Sequence, residues 1–331
     1  MAAHLRNSAR TYQRREPEQG LLYRVLLNHL ETFLQRTRTR EHALPFHVER
    51  ELRSYLECGI LAHGFLRLCC AECNASRTVA FSCKGRGFCP SCMARRMSDT
   101  AARLSDAVLP AVPVRQWVLS LPIEIRYRLA YDGPLISAFL AVFLRTVQAW
   151  YRQQARAQGY TQVQCGCVTF VQRFGSALNL NPHFHVLMLD GVYACGEAGD
   201  APVFVPAPPL RDADVQRIVE MAAHRLVRLL QQRGVLDDSA EDALAETEPL
   251  LAALSAASIQ GQVATGPRAG HRVRRVLSDP IEGLRRGPLC FSARGFSLHA
   301  ATRIEVEDRA GLERLCRYVA RPPLAAGPAA S

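Results

Sequence analysis

The chain has 331 residues, of which 48% are hydrophobic, so it can bury one large core and a smaller domain, and it is not an intrinsically disordered chain. Its apolar runs, such as residues 135–144, reach about half of the roughly 20 residues that a membrane span needs, so we expect no membrane segment. The N-terminus lacks the apolar core of a secretory signal, which predicts a cytoplasmic protein.

The charge balance is basic. Lysine and arginine number 41 against 30 acidic residues, giving a net charge of +11. Such a balance suits a polyanionic partner such as nucleic acid. Lys84 is the only lysine, however, and a GC-rich genome would produce the same bias toward arginine. The composition leaves both explanations open.

Helices and strands alternate along the chain without a regular βαβ rhythm, which favours an α+β fold with a sheet covered by helices. Apolar periodicity predicts helices at residues 18–38, 134–158, 215–234, 239–257 and 308–320, and one from Ser98 or Asp99 that stops before Pro110. Strands are predicted at 114–127 (strand, turn, strand), at 165–174 and 183–193 (a hairpin), and at 295–306. Residues 261–289, rich in Gly, Pro and Arg, predict an exposed basic loop.

Seven of the twelve cysteines lie between Cys58 and Cys92. Two CxxC pairs, Cys70 with Cys73 and Cys89 with Cys92, have the spacing of a four-thiolate zinc ribbon. We therefore expect these four residues to bind a structural Zn²⁺ that leaves no open coordination position. Cys69 and Cys83 are alternates, and Cys58 and His63 are weaker candidates for a second ion.

Basic residues surround this predicted ribbon and could bind a nucleic-acid backbone. They are Arg77, Lys84, Arg86, Arg95 and Arg96. A solvated basic rim without any ligand is the alternative interpretation.

His183 and His185 are separated by one residue at the start of the apolar run NPHFHVLMLDG. On a strand the two side chains point to the same face, about 6.6 Å apart, and their rings can converge on one ion. By spacing alone, a pair of core histidines satisfied by hydrogen bonds remains the alternative.

On the last predicted helix, Tyr318 lies between Arg314, four residues before it, and Arg321, three residues after it. Guanidinium groups can hold phosphate oxygens and favour a phenolate, so this tyrosine is equipped to attack a phosphate. A half-buried core tyrosine would give the same pattern.

The order of these features resembles the rolling-circle transposases of the insertion sequence 91 family and of the related common-region elements, within the HUH endonuclease superfamily. The resemblance runs from about Tyr12 to Ala325. It includes YLECGILAHGF, SCKGRGFCPSC, RQWVLSLP, VTFVQRFGSALNLNPHFHVLMLDGVY, GFSLHA and LCRYVARPPLA.

The resemblance implies an N-terminal helical segment (1–40), a zinc-binding ribbon domain (41–108) and a ferredoxin-like HUH nuclease domain (110–325), followed by a short tail (326–331). It also implies that His183 and His185 bind Mg²⁺ or Mn²⁺, and that Tyr318 attacks single-stranded DNA to leave a 5′-phosphotyrosine and a free 3′-hydroxyl. Gln172 is the preferred third ligand, and Gln116, Asp190 and His299 are rivals. Arg314, Arg317 and Arg321 are expected to contact DNA.

The expected partners are single-stranded DNA at transposon ends and target DNA, with a homodimer and association with the nucleoid. Some members of the family carry two tyrosines four residues apart, but here the earlier position is Arg314. Relatives also continue beyond the PPLA segment, which makes a truncated, inactive zinc-ribbon DNA-binding protein the alternative function. A relaxase or replication initiator is the nearest other alternative.

Overall fold

The computed structural model describes residues 16–39, 44–175, 178–195, 201–235 and 287–324, with isolated positions between 253 and 271. The chain divides into two compact units, one within Met1–Ser98 and one at Asp99–Pro323. The sequence placed this boundary at residues 108–110. The helix expected at 239–257, the basic loop expected at 261–289 and the tail at 326–331 lie outside the described residues, apart from those isolated positions and residues 287–289.

The first unit consists of helices and one small hairpin. Its elements are a 3₁₀ turn (Pro17–Gln19), α1 (Leu21–Thr39), α2 (Phe46–Glu57), a second 3₁₀ turn (Leu61–His63), strands β1 (Phe65–Cys69) and β2 (Ser76–Ala80), and the start of α3 (Pro90–Arg103). The two strands are antiparallel. Leu30 and Leu34 are the buried residues of α1, as its amphipathic pattern predicts.

The second unit is built on antiparallel strands. Helix α3 continues as a π-helical turn (Leu104–Val108), followed by β3 (Val114–Ser120), a 3₁₀ turn (Ile123–Ile125), α4 (Arg126–Tyr131), α5 (Gly133–Ala157), β4 (Val163–Gln164), β5 (Cys167–Phe174), β6 (Leu180–Leu189), β7 (Gly191–Ala194), β8 (Val203–Pro206), α6 (Asp212–Gln232), β9 (Cys290–Ala293), β10 (Phe296–His299), β11 (Arg303–Ile304) and α7 (Arg309–Val319).

The main sheet has the strand order β5-β6-β3-β10-β9, and β11 also pairs with β3. Every pairing in it is antiparallel. A smaller sheet has the order β4-β7-β8. Because side chains alternate along a strand, each face of the main sheet collects every second residue.

The two faces of the main sheet are covered differently. On one face, Trp117, Phe184 and Leu298 pack with residues of α5 and α6 into the larger core. On the other face, Leu187 and Leu189 pack with residues of α7 and of the end of α3. Helix α5 is long and apolar enough by length and composition to cross a membrane, the only such helix in the described part of the chain. Its buried side chains pack in the larger core.

The predicted mixture of helices and antiparallel strands is confirmed. The helices expected at 18–38, 134–158, 215–234 and 308–320 correspond to α1, α5, α6 and α7, and the expected hairpin corresponds to β5 and β6. Asp308 caps α7 by accepting a hydrogen bond from the Gly311 N–H at 2.7 Å.

Two predictions of local structure were wrong. Helix α3 begins at Pro90 and not at Ser98 or Asp99, because a proline is well accommodated in the first turn of a helix. The second strand expected before residue 127 is a 3₁₀ turn followed by α4. Its alternating isoleucines suggested a strand, but Ile125 and Leu129, four residues apart, are the buried pair.

The segment expected as one strand at 295–306 is two short strands, β10 and β11. Between them the Thr302 carbonyl accepts a hydrogen bond from the Gln116 N–H.

Candidate functional site

Four cysteine sulfurs converge in the first unit. Those of Cys58, Cys83, Cys89 and Cys92 all lie within 4.8 Å of one another. The Cys92 sulfur is 3.7 Å from that of Cys58 and 3.6 Å from that of Cys83. A tetrahedral zinc with Zn–S bonds of about 2.3 Å has sulfurs about 3.8 Å apart, so this cluster has the dimensions of a four-thiolate zinc site.

Local structure brings these sulfurs together from three places. Cys58 follows the last residue of α2, Cys83 lies in the loop after β2, and Cys89 and Cys92 occupy the start of α3. The backbone N–H of Cys83 donates to the Cys58 sulfur, and that of Gly85 donates to the Cys83 sulfur, both at 3.4 Å.

The four thiols differ in pKa, because each accepts or donates different hydrogen bonds within the cluster. Hydrogen bonds from Cys83 and Cys89 lower the pKa of Cys58 to about 7. Bonds from Cys58 and Cys83 hold the pKa of Cys92 far below its usual range, while the pKa values of Cys83 and Cys89 are raised. Crowded sulfurs cannot all become thiolates without a cation, and a bound Zn²⁺ would supply the compensating charge.

The structure corrects two of the four predicted zinc ligands. Cys89 and Cys92 lie in the cluster, but Cys58 and Cys83 occupy the places expected for Cys70 and Cys73. The latter two lie in the turn between β1 and β2 and are exposed. Pairing one CxxC with the other is only the commonest way to complete four thiolates, and here two single cysteines do so.

The basic residues expected around the zinc site are on the surface. Lys84, Arg86, Arg95 and Arg96 are all exposed. No ion pair joins any of them to another residue that the structure describes, so their charges are available to an anionic partner.

In the second unit, both histidines lie on the face of the main sheet that α7 covers. His183 is paired with Gln172 of β5 and with Ser120 of β3, and directly paired residues of antiparallel strands share a face. The two imidazole centroids are 4.8 Å apart. His183 is 8% exposed and His185 2%, so the pair lies at the edge of a buried surface.

Each imidazole is held through its Nδ1 atom. Nδ1 of His183 lies 2.7 Å from the Asn181 carbonyl oxygen, and Nδ1 of His185 lies 2.9 Å from the side-chain amide of Gln116. The remaining nitrogen of His185, Nε2, is buried and has no hydrogen-bond partner. Holding Nδ1 leaves the Nε2 atoms free to bind a ligand.

Both histidines are neutral at physiological pH. Burial, together with smaller contributions from the charges of His183 and Arg321, lowers the pKa of His185 to about 3. Burial also lowers the pKa of His183, with smaller contributions from the charges of Arg321 and Arg126. A neutral imidazole is the form that binds a metal ion.

Gln172 connects this pair to α7. Its amide nitrogen donates to the Val319 carbonyl at 2.9 Å, while its amide oxygen is buried without a hydrogen-bond partner. An unpaired buried oxygen is costly unless it binds something. Two atoms of the kind that a cation binds, Nε2 of His185 and Oε1 of Gln172, are thus left without partners on the same face of the sheet, and these donors fit a divalent ion.

Tyr318 lies next to the histidines. Its ring centroid is 5.7 Å from that of His185, and the Arg321 guanidinium lies over the tyrosine ring at 4.7 Å. The tyrosine is 47% exposed, so a substrate could reach it from solvent. The site therefore presents an accessible phenol, a guanidinium and a candidate cation site side by side.

The other sequence candidates are placed elsewhere. Asp190 lies on the opposite face of the sheet, where both its oxygens are bound by Arg115 at 2.9 Å. His299 shares the histidine face, but Val118 lies between it and His185 in the pairing. Two strand spacings separate them, about 10 Å.

Arg314 and Arg317 have acidic partners. Arg314 lies 3.8 Å from Asp308, and Arg317 lies 2.6 Å from Glu313. Both arginines are at least half exposed, so these ion pairs are weak and a phosphate could displace them.

Sequence reasoning missed Arg126. This arginine is 3% exposed, its Nε donates to the Leu121 carbonyl at 3.0 Å, and its charge reaches His183. A buried arginine in a short helix has no periodic signature, so nothing in the sequence pattern identified it.

Two family models match the chain. One, of the insertion sequence 91 type and described as "Transposase zinc-binding domain", matches residues 25–121. The other, described as "Putative transposase", matches residues 166–327. Together they span most of the chain, including the cysteine cluster, both histidines and Tyr318. No curated protein and no solved structure matches it.

Proposed function

Since the chain belongs to the insertion sequence 91 family of transposases, we propose that it nicks single-stranded DNA at element ends with Tyr318 and transfers the strand in rolling-circle transposition. The observation that carries this proposal is the convergence of neutral His183 and His185, the unpaired oxygen of Gln172, and Tyr318 beneath the Arg321 guanidinium. We assign the second unit to the ferredoxin-like HUH nuclease fold, which its antiparallel sheet with two histidines on one strand supports.

His183, His185 and Gln172 would hold the divalent ion, Mg²⁺ or Mn²⁺. When bound, the ion supplies Lewis-acid polarisation of the scissile phosphate. Nitrogen ligands favour Mn²⁺ more than Mg²⁺, and the amide oxygen suits either ion.

Tyr318 is the nucleophile. Its Oη forms a bond to phosphorus, the bond from phosphorus to the 3′ oxygen breaks, and that oxygen leaves as a 3′-hydroxyl after gaining a proton. The tyrosine loses its proton and holds the 5′-phosphate, so the phosphodiester energy is kept for a later strand transfer. Arg321, whose guanidinium lies over the ring, would contact phosphate oxygens.

Neutral imidazoles matter to this scheme. Because burial holds the pKa of His185 near 3, protons do not compete for its Nε2 at physiological pH. The buried charge of Arg126, beside His183, attracts the phosphate to the same place.

The first unit would hold the DNA. Its structural Zn²⁺, bound by Cys58, Cys83, Cys89 and Cys92, fixes the loop and helix that carry Lys84, Arg86, Arg95 and Arg96. These exposed charges would contact phosphates without reading sequence. We expect a cytoplasmic protein, associated with the nucleoid, that acts on transposon-end and target DNA.

The test is a covalent adduct. The protein is incubated with single-stranded element-end DNA and Mn²⁺, and the products are separated on a denaturing gel. Wild type should form a protein–DNA adduct, and Tyr318→Phe should form none. Tyr160→Phe is the matched control, because Tyr160 is 42% exposed in the same unit and should form the adduct normally.

Substitution of the histidines separates chemistry from folding. His183→Ala and His185→Ala should lose the adduct while keeping zinc content and DNA affinity. An equal adduct from Tyr318→Phe would disprove the assignment of the nucleophile. DNA binding without any adduct, from wild type as well, would instead favour a zinc-binding DNA-binding protein without catalysis.

A further inference from the structure

The CxxC pair of Cys70 and Cys73 has no role in the zinc cluster. That cluster already has four sulfurs, the number a structural zinc needs. Both residues lie at the tip of the β1–β2 hairpin, and both are exposed. Exposed thiols are unfavourable in a protein unless they serve a purpose.

The turn that carries this pair has the backbone geometry of a metal knuckle. The Cys70 N–H donates to the Ala75 carbonyl at 2.9 Å, and the Asn74 N–H donates to the Cys70 carbonyl at 3.1 Å. Asn74 adopts a left-handed conformation, with φ of 55°, which asparagine tolerates better than most residues. The chain is thereby folded back so that Cys70 and Cys73 are on the same side of the turn.

Backbone N–H groups also point at the sulfur of Cys70. The N–H groups of Cys73 and Glu72 donate hydrogen bonds to it. The Cys73 thiol contributes a further hydrogen bond to the same sulfur, so the two sulfurs lie side by side. N–H donors of this kind orient the ligands of a metal ion.

Two thiolates are half of a tetrahedral zinc site. Cys69 is adjacent in sequence, yet its sulfur does not join theirs. Within the described residues no third cysteine, histidine or carboxylate lies with the pair at metal-binding distance. The site is two ligands short.

The same hairpin exposes an apolar face. Leu66 is paired with Val79, and both are exposed, as are Leu68 and Phe81, which follow on the same face. Two strands do not make a stable isolated sheet, and an apolar patch of this kind marks a protein contact. The half-site and the apolar patch both lie on the β1–β2 hairpin, residues 65–80, and on the residue that follows it.

We propose that Cys70 and Cys73 form half of a second zinc site, completed by the same two residues of a second copy of this chain. A two-fold contact places each residue opposite its own equivalent, so one exposed pair supplies all four ligands. Zn²⁺ replaces the protons of four thiols, with no change in oxidation state. The apolar face beside the site would be covered in the same contact.

The proposal is tested by metal content and mass together. Full-length protein and its variants are purified with a phosphine reductant, which prevents disulfides, and all carry His183→Ala and His185→Ala so that the candidate ion site of the second unit adds no zinc. Zinc is measured by mass spectrometry and mass by light scattering. Wild type should be a dimer with about 1.5 zinc ions per chain, one in each four-cysteine cluster and one shared. The double variant Cys70→Ser, Cys73→Ser should be a monomer with about 1.0.

Two further variants make the result specific. Cys69→Ser changes an exposed neighbour outside the pair and should remain a dimer with wild-type zinc. Cys70→His, Cys73→His keeps two zinc ligands and should restore the dimer and the shared ion. Circular dichroism confirms that each variant is folded.

Three results would overturn the proposal. They are a wild-type protein with only about 1.0 zinc ion per chain, a dimer that survives in the double serine variant, and a monomer with about 2.0 zinc ions per chain. The last would mean that the same chain supplies the missing ligands. None of these results depends on whether Tyr318 cleaves DNA, so the proposal stands or falls separately from the nuclease chemistry.

Discussion

If His185 binds a metal ion as proposed, its neighbour Gln116 would orient it without contacting the ion. If Nε2 binds a cation, the imidazole proton must be on Nδ1. In the structure the amide nitrogen of Gln116 lies 2.9 Å from that nitrogen. Rotation of the amide by half a turn exchanges its nitrogen and oxygen, and Gln116 would then accept this proton. This hydrogen bond would fix both the tautomer and the ring plane of His185 before any ion binds.

Gln116→Ala should therefore weaken binding of Mn²⁺ to the second unit by about 10- to 100-fold, the range typical of such supporting groups. Calorimetric titration of zinc-loaded protein measures this affinity. Gln116→Glu keeps an acceptor for the proton and should recover most of the binding. Ser120→Ala, on the same face but paired with His183 and not with His185, is the control. An unchanged affinity in Gln116→Ala would exclude a positioning role.

The depressed pKa of His185 makes the second unit sensitive to acid. In the unfolded chain the imidazole takes a proton near pH 6.5, whereas in the folded chain it does so only near pH 3. Acid therefore favours the unfolded state. The full stability is present above pH 6.5 and is lost as the pH falls toward 3, by roughly 2 kcal/mol at pH 5 from this group alone.

Urea unfolding of protein without added divalent ion, at pH 8 and pH 5, measures this effect. The two tryptophans, Trp117 and Trp150, both lie in the core of the second unit, so their fluorescence follows this unit specifically. His185→Gln cannot take a proton and should lose about 2 kcal/mol less than wild type between these pH values. Equal losses in both proteins would contradict the assignment.

At the scale of elements, one buried carboxylate joins four parts of the second unit. Asp190, between β6 and β7, accepts from Arg115 of β3, from Arg303 of β11 at 2.6 Å and from the Tyr151 hydroxyl of α5 at 2.9 Å. Burial opposes its ionisation, but the hydrogen bonds and charge of Arg115 outweigh it, and the pKa of Asp190 is lowered. The sheet is thus locked to α5 by charge as well as by apolar packing.

Asp190→Asn should destabilise the second unit by about 3–5 kcal/mol, because Arg115 and Arg303 would lose their counter-charge inside the protein. Tryptophan fluorescence in urea measures the loss. Glu305→Gln removes an exposed partner of the same Arg303 and should cost less than about 1 kcal/mol. Asp190→Asn protein that stays folded should bind Mn²⁺ with the affinity of wild type. Weaker binding would make Asp190 a candidate metal ligand again.

Periodicity predicted the elements that bury one regular face. Leu30 and Leu34 of α1 and the apolar stripe of α7 follow a helical period, and the alternation in β6 placed His183 and His185 on one face. Periodicity failed where contacts between residues distant in sequence determine the local structure. Ile125 and Leu129 face the core from a helix because of packing, and Pro90 starts α3 because Cys89 is fixed in the cluster.

The candidate site was predictable in composition but not in geometry. The pairing of Gln172 with His183 depends on a register between β5 and β6 that the sequence does not display. Cys58 joins Cys83 only because α2 ends beside the loop that follows β2, and a spacing of 25 residues gives no hint of this. Arg126 was missed for the same reason, since burial is a tertiary property.

At the scale of the whole molecule, the two units have different sources of stability. The second has a large apolar core, whereas the first buries few side chains around its cysteines. Structural zinc sites contribute about 10–16 kcal/mol of binding energy, comparable to or larger than the whole stability of a domain. The first unit should depend on its metal, and the second should not.

A strong zinc chelator should accordingly unfold the first unit alone. We expect a loss of helical circular dichroism and rapid proteolysis before residue 98, while the fluorescence of Trp117 and Trp150 stays unchanged. The double variant His183→Ala, His185→Ala should respond to chelator as wild type does, because its zinc cluster is intact. A shift in tryptophan fluorescence at the same chelator concentration would show instead that both units need the metal.

Gln172 links the candidate ion site to α7, the helix that carries Tyr318. One end of its planar amide holds the Val319 carbonyl, one residue from Tyr318, and the other end is the oxygen without a partner. A rigid amide cannot turn one end without moving the other. If an ion binds this oxygen as proposed, it would also fix the amide that holds the Val319 carbonyl, and binding of the ion would set the position of Tyr318.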